Sequence, residues 1–262
     1  MIDVKHLSKR FNETLAVNDI TFSVEPGELF ALLGPNGAGK STTIKMLTTL
    51  LKPTSGELSL DGHDVLKEPH LARKSFGIVF QDPSLDTDLS AFENMQLHAV
   101  MYGLTLKQSV KNSEELLKLV GLWERKDSLV KTFSGGMKRR LEIARGLLHH
   151  PRVLFLDEPT LGLDTQTRNL LWQYVDKMAK EKAMTILFTT HYLEEAENNA
   201  TRIAVIDHGE LLKIGSLKEI LKDTDSKNLE QAYLKLTGKA IRDEEVSPHE
   251  TWRAIRRARS MR

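Results

Sequence analysis

The most constraining stretch of this 262-residue chain is Gly34-Pro35-Asn36-Gly37-Ala38-Gly39-Lys40-Ser41-Thr42, between the apolar run 29–33 and a helix-patterned run 40–51. Glycines at these intervals let successive backbone N–H groups converge, and the following helix points its positive end at the same place. Such a turn binds phosphate. Lys40 brings a full charge to the β- and γ-phosphates of a nucleotide, and the Ser41 hydroxyl can ligate Mg²⁺. With ordinary residue usage, the pattern G-x-x-x-x-G-K-[ST] arises by chance in about 1% of chains of this size. The flanking strand and helix lower that figure, so Gly34 to Thr42 are expected to cradle phosphate.

Strand-like runs fall at residues 2–7, 20–24, 29–33, 57–60, 76–80, 153–156, 185–188 and 203–206, with helical patterns at 40–51, 91–102, 109–120, 135–149 and 166–180. The run 153–156 is apolar on both sides of its alternation, as a strand buried on two faces of a parallel sheet must be. Together these patterns predict an α/β fold with a mostly parallel core sheet. Residues from about 85 to 150 carry no strand pattern and read as an inserted helical subdomain. One domain is therefore expected over 1–215, followed by a helical C-terminal extension, 216–262, whose last stretch, 252–262, is basic.

Hydrophobic residues make up 40% and charged residues 28%, enough for a packed core. Lys and Arg exceed Asp and Glu by one, which leaves no field to gather nucleic acid, and no nucleic-acid partner is expected. The chain has no cysteine, so disulfides and thiolate metal sites are excluded. No apolar run approaches the roughly 18 residues of a membrane span, and the charged start lacks a signal-type apolar core. If this chain serves a membrane, it does so from the side.

A second chemical feature is Val153-Leu154-Phe155-Leu156-Asp157-Glu158-Pro159, an apolar strand ending in two acids. Asp157, at the carboxyl end of the strand, is placed to hold Mg²⁺ beside the phosphate loop. Glu158 points the other way along strand geometry and can accept a proton from an attacking water. Alone, such a pair would merely end a strand. With a phosphate loop upstream it supplies the metal carboxylate and the base that hydrolysis needs.

Phosphate loops occur in kinases, GTPases and helicases, but Phe133-Ser134-Gly135-Gly136-Met137, opening a helix just before the acid-pair strand, points elsewhere. This segment resembles the signature motif of the ABC ATPases, usually L-S-G-G-Q. A serine and two glycines opening a helix form a second N–H cluster suited to a γ-phosphate. The resemblance spans residues 1 to about 215 and implies a P-loop NTPase fold with an antiparallel β part, ATP and Mg²⁺ as ligands, and hydrolysis as the reaction. It further implies that Ser134, Gly135 and Gly136 face the ATP of a second subunit in a head-to-tail dimer, with a homodimer expected. Gln81 looks like the glutamine that contacts Mg²⁺ and links to the membrane partner, and Asp164 like the aspartate that crosses the dimer interface. His191 looks like the histidine that orders γ-phosphate and water, and Phe11 like the aromatic residue that stacks on adenine. Met137 departs from the usual glutamine and lacks its hydrogen-bonding side chain.

The extended run from Phe133 to Arg145, together with His191-Tyr192-Leu193-Glu194-Glu195-Ala196, is similar to ATPases of drug and antibiotic exporters, the daunorubicin-resistance branch among them. Membership there implies a separate transmembrane permease as partner and a peripheral position on the cytoplasmic face of the cell membrane. The segment 229–238 fits either the short C-terminal segment of that branch or an ordinary amphipathic helix with Leu229, Tyr233 and Leu236 on one face. The basic run 252–262 suits either anionic headgroups or RNA, or simple solvation. A non-transport ABC ATPase acting on nucleic acid or ribosomes is the competing reading. Such proteins usually carry two domains or a long coiled-coil insertion, whereas Lys40 and Ser134 lie only 94 positions apart. A small-molecule kinase would leave the signature segment without a use.

Overall fold

The computed structural model describes residues 1–238, and the basic run 252–262 lies outside the described residues. In chain order the first half runs β1 (Ile2–Phe11), β2 (Thr14–Val24), β3 (Leu29–Leu33), α1 (Lys40–Leu47), β4 (Ser55–Leu60), β5 (His63–Asp64), α2 (Pro69–Ser75), β6 (Phe76–Val79), α3 (Ala91–Met101) and α4 (Leu106–Leu119). The second half runs α5 (Gly135–Gly146), β7 (Val153–Asp157), α6 (Thr165–Lys182), β8 (Thr185–Thr190), α7 (Leu193–Asn199), β9 (Arg202–Asp207), β10 (Glu210–Gly215), α8 (Leu217–Asp223) and α9 (Leu229–Thr237).

Two sheets form the frame. One is antiparallel, in the order β2-β1-β4-β5; the other runs β10-β9-β3-β8-β7-β6. Strands β9, β3, β8, β7 and β6 are mutually parallel, and β10 adds an antiparallel edge. Alternation along each parallel strand sends side chains to opposite faces. Phe30 and Leu32 of β3, with Phe155 and Leu187, pack toward the antiparallel sheet and α1. Ala31 and Leu33, with Leu154, Leu156 and Phe188, pack toward α3, α4, α5 and α6. A sheet buried on both faces explains the unbroken apolar run that ends at Asp157.

The chain leaves β3 toward β6 at one edge and later returns from β8 to β9 on the other side of β3. Strand β3 is thus where the winding reverses, and crevices at the carboxyl ends of such strands are where ligands bind. The phosphate loop, Asp157 and His191 all follow strands at that end.

Sequence and structure differ mainly at element ends. Helix α1 stops at Leu47, where Thr48 Oγ1 turns back on the Ile44 carbonyl at 2.8 Å and Thr49 takes φ 64°. Helix α4 starts three residues earlier than its apolar pattern, because Thr105 and Gln108 form a reciprocal capping box. Elements α2, β5, α7 and β10 carried too little apolar periodicity to be read, whereas α8 falls in the stretch after 216 expected to be helical. Among the described residues no helix is long and apolar enough to cross a membrane.

Candidate functional site

The loop between β3 and α1 is shaped by its glycines. Gly39, the N-cap of α1, has φ 100°, and a Cβ there would lie 2.5 Å from the Ala16 carbonyl oxygen. At Gly34 a Cβ would come within 2.1 Å of the Ile206 carbonyl oxygen, so backbone must pass where a side chain would stand. The first turn of α1 has neither a side-chain cap nor an acidic residue, which leaves its amides for an external anion. Lys40 is buried at the mouth of this turn, donating to the carbonyls of Gly34 at 2.7 Å and Pro35 at 3.0 Å.

Across the crevice Asp157 ends β7. Its Oδ1 accepts from Ser41 Oγ at 3.0 Å and from Thr189 Oγ1 at 2.6 Å. Strand geometry alone would aim Glu158 away from Asp157. Instead Glu158 takes φ 46°, a conformation costly for a side chain of its size, and the turn brings its carboxylate into the same crevice. Its amide donates to Thr189 Oγ1 at 2.9 Å. One carboxylate oxygen lies 3.0 Å from Lys40 Nζ and the other 2.6 Å from His191 Nδ1. Burial pushes the Glu158 carboxyl up, but the His191 hydrogen bond and the Lys40 charge outweigh it and hold it below the usual range. Glu158 is therefore an ionised acceptor, and His191 Nδ1 donates to it. Burial lowers Lys40, with Glu158 opposing the shift.

Lys40, Asp157, Glu158 and His191, all buried, and half-buried Ser41 thus form one group connected through Thr189. Gln81 joins it by position rather than contact: β6 pairs Val79 with Leu156, so Gln81, two residues on, emerges level with Glu158 and is exposed. Phe11 is the last residue of β1, 45% exposed, with Lys9 Nζ 5.1 Å from its ring centre.

The signature residues lie elsewhere. Ser134 caps α5, its Oγ accepting from the Met137 amide at 3.3 Å, and Ser134 and Gly135 are exposed. Asp164 caps α6 through the Thr167 amide at 2.9 Å and the Thr167 hydroxyl at 2.7 Å. The two turns touch, since a Cβ on Gly136 would lie 2.4 Å from Thr167 Cγ2. Met137 packs half-buried on the apolar cluster beneath α5.

Several buried polar residues of the crevice have no individual role that the sequence revealed. Thr189 bridges Asp157 and Glu158. Glu195 on α7 accepts from Thr160 and, at 2.8 Å, from Thr190, tying the turn after Glu158 to the strand end before His191. Arg139 on α5 is buried against the same turn.

Comparison with known proteins agrees with this geometry. A family profile described as ABC transporter matches residues 17–161. The linearmycin resistance ATP-binding protein of Bacillus subtilis (strain 168) is 43% identical over 84% of this chain and 70% of its own length. The daunorubicin/doxorubicin resistance ATP-binding protein of Streptomyces peucetius is 42% identical over 84% of this chain and 66% of its own length. Among solved structures, an ATP-binding subunit of an ABC transporter superposes with a TM-score of 0.82 at 33% identity, covering 90% of this chain and 99% of that one. A dimeric ATP-binding cassette in a post-hydrolysis state with ADP and phosphate gives a TM-score of 0.75 at 28% identity, covering 83% and 99%. With a phosphate loop, an acid-pair strand and a signature turn in one fold shared with these proteins, the chain belongs to the ABC transporter family and carries its ATP-binding, ATP-hydrolysing domain.

Proposed function

We propose that this chain drives an exporter of drugs, antibiotics or other hydrophobic compounds, working on a separate membrane permease from the cytoplasmic face of the membrane. Residues 1–215 form the ATPase domain, with the helical subdomain at about 85–150, and 216–262 form a C-terminal extension. The observation that carries the catalytic reading is Glu158, ionised and clasped between Lys40 and His191. Support for the exporter reading comes from the relatives, which are named for linearmycin and daunorubicin/doxorubicin resistance; none of those reported acts on nucleic acid or ribosomes by name.

In this reading Gly34 to Thr42 hold the phosphates and Phe11 stacks on adenine. Lys40 leaves the loop carbonyls and Glu158 for the β- and γ-phosphates, where its charge is worth more. That frees one oxygen of Glu158 to take a proton from the attacking water, while His191 fixes the other oxygen and Gln81 orients the water. Asp157 and Ser41, whose oxygens already meet at 3.0 Å, fit the hard oxygen set that Mg²⁺ prefers, with Gln81 as a third donor. When bound, the ion neutralises charge on the phosphates. Ser134, Gly135, Gly136 and Asp164 serve the ATP of a second copy in a head-to-tail homodimer.

The test is Glu158→Gln in the full chain isolated from membranes with its partner. ATP binding should persist, turnover should fall by about 10²–10⁴-fold, and a polytopic membrane protein should accompany the chain. Near-normal turnover would remove Glu158 as base. Recovery only as a free protein whose ATPase is stimulated by RNA would overturn the transporter reading.

A further inference from the structure

Helix α5 begins at the signature and then carries two buried charged side chains, Arg139 and Glu142, and a half-buried one, Arg145. Arg139 is 7% exposed and Glu142 2%. The Arg139 guanidinium donates through Nε to the Pro159 carbonyl at 2.7 Å and through Nη2 to those of Asp157 at 3.0 Å and Glu158 at 3.2 Å. Its Nη1 donates to the Phe80 carbonyl and to Glu142 Oε2, the latter at 3.2 Å. Glu142 Oε1 in turn accepts from the Ser84 amide at 2.7 Å, and Arg145 Nη1 donates to the Ser84 carbonyl at 2.7 Å.

The result is a clamp on two separate segments. The loop that carries Gln81 is held at both ends, at Phe80 and at Ser84. The turn that carries Glu158 is held at three consecutive carbonyls. Glu158 has its amide fixed by Thr189 and its carbonyl by Arg139, so both ends of its left-handed backbone are determined from outside. A buried ion pair is a poor way to glue a helix down, since apolar side chains of similar volume do that at least as well. What a planar five-donor fork adds is direction, because it fixes several carbonyls relative to one helix at once.

We propose that Arg139, braced by Glu142, is a positioning residue for ATP hydrolysis that locks Glu158 and the Gln81 loop to the helix bearing Ser134–Gly136. A displacement of that helix by a nucleotide or by a neighbouring subunit is thereby delivered to the carboxylate at the γ-phosphate. The inference rests on the reading of Glu158 as base given above.

The test uses the full chain with Arg139→Lys, Arg139→Gln and Glu142→Gln, and Arg140→Gln as control. Arg140 lies on the same helix and bonds the Val120 carbonyl at 2.8 Å, away from both clamped segments. ATP affinity and KM should stay within about 3-fold of wild type, while kcat falls by about 10–100-fold in the Arg139 variants. Lysine should not rescue, because it keeps the charge and loses the fork. Amide hydrogen exchange should accelerate by about 10-fold at residues 80–84 and 158–161 but not in β8. The Arg139→Gln, Glu142→Gln double variant should be little worse than Arg139→Gln alone. If Arg139→Lys and Arg140→Gln lose stability alike while kcat per folded molecule and exchange at those segments stay unchanged, the role is packing and the proposal falls. Glu158→Gln measured alongside separates the two failures. Loss of turnover there with a normal Arg139→Lys sinks the clamp alone. Retained turnover in Glu158→Gln sinks the base assignment, and unchanged exchange in Arg139→Lys then rejects the clamp by itself.

Discussion

The crevice at the strand ends and the turn at the head of α5 are both suited to phosphate, yet they are built in opposite ways. In the crevice every charged group has a partner from this chain: Lys40 with Glu158, Glu158 with His191, Asp157 with Ser41 and Thr189. At the signature, among the described residues, the Ser134 and Asp164 side chains bond within their own first turns, and Ser134, Gly135 and Asp164 are exposed. A site that satisfies itself can be sensed from one chain. In the function proposed above, the ligand of the signature turn is the ATP of a second copy, and the two halves work together across two copies.

The most severe way to break this contrast is to inactivate each half in a different chain. Lys40→Met disables the crevice, and Gly135→Asp puts a negative charge at the signature, where a Cβ would meet no other part of the described chain within 4 Å. Each variant alone should lose at least about 10²-fold in ATP turnover. Mixed in equal amounts, they form heterodimers with one intact composite site, and roughly a quarter of wild-type turnover should return by the statistics of a two-fold assembly. No recovery on mixing, in a preparation shown to exchange subunits, would mean that both halves act on the same chain's nucleotide.

A smaller effect comes from making one chemical change in both regions. Thr189→Val removes a fully buried hydroxyl that donates to Asp157 and accepts from the Glu158 amide, leaving that amide unpaired. The loss in denaturant-measured stability should be about 2 kcal/mol. Thr167→Val removes a hydroxyl bonded to the exposed Asp164, where water replaces it, and should cost less than about 0.5 kcal/mol. Equal costs would show that the signature turn is as internally dependent as the crevice.

This contrast also explains what could be read from the sequence. Gly34 to Ser41 are legible because the phosphate loop is local: a few adjacent residues meet a backbone demand that few others satisfy. Asp157 and Glu158 are legible because a wholly apolar strand has no other reason to end in two acids. The signature, the exposed half, is legible only by resemblance, since nothing within the chain requires it. Arg139 is illegible. It sits in Lys138-Arg139-Arg140, where three like charges look alike until the fold buries the middle one among carbonyls from two distant segments. Thr189 and Glu195 are hidden in the same way, as common polar residues whose partners lie on other strands. At 229–238 the amphipathic reading is sufficient, with Leu229 and Tyr233 buried and Leu236 packed on the same cluster.

The smallest effect on stability is expected where the functional effect diverges from it most. Gly135 and Gly136 are neighbours in the first turn of α5, and neither has a positive φ. A Cβ on Gly136 would meet Thr167 Cγ2 at 2.4 Å, and that threonine is itself held by Asp164, so Gly136→Ala should cost about 1–3 kcal/mol through overpacking. A Cβ on Gly135 meets nothing within 4 Å. Judged by this chain alone, Gly135→Ala should be neutral or stabilising by about 0.5 kcal/mol, because alanine loses less backbone freedom on entering a helix. In the function proposed above, the phosphate of a second copy's ATP approaches this backbone. Gly135→Ala should therefore lower ATP turnover by about 10-fold while its melting temperature holds or rises, since the added methyl stands between the signature amides and the phosphate they serve. Wild-type turnover in a fully folded Gly135→Ala would show that no ligand comes within contact of that backbone, and the exposed half would lose its claim to be half of a site.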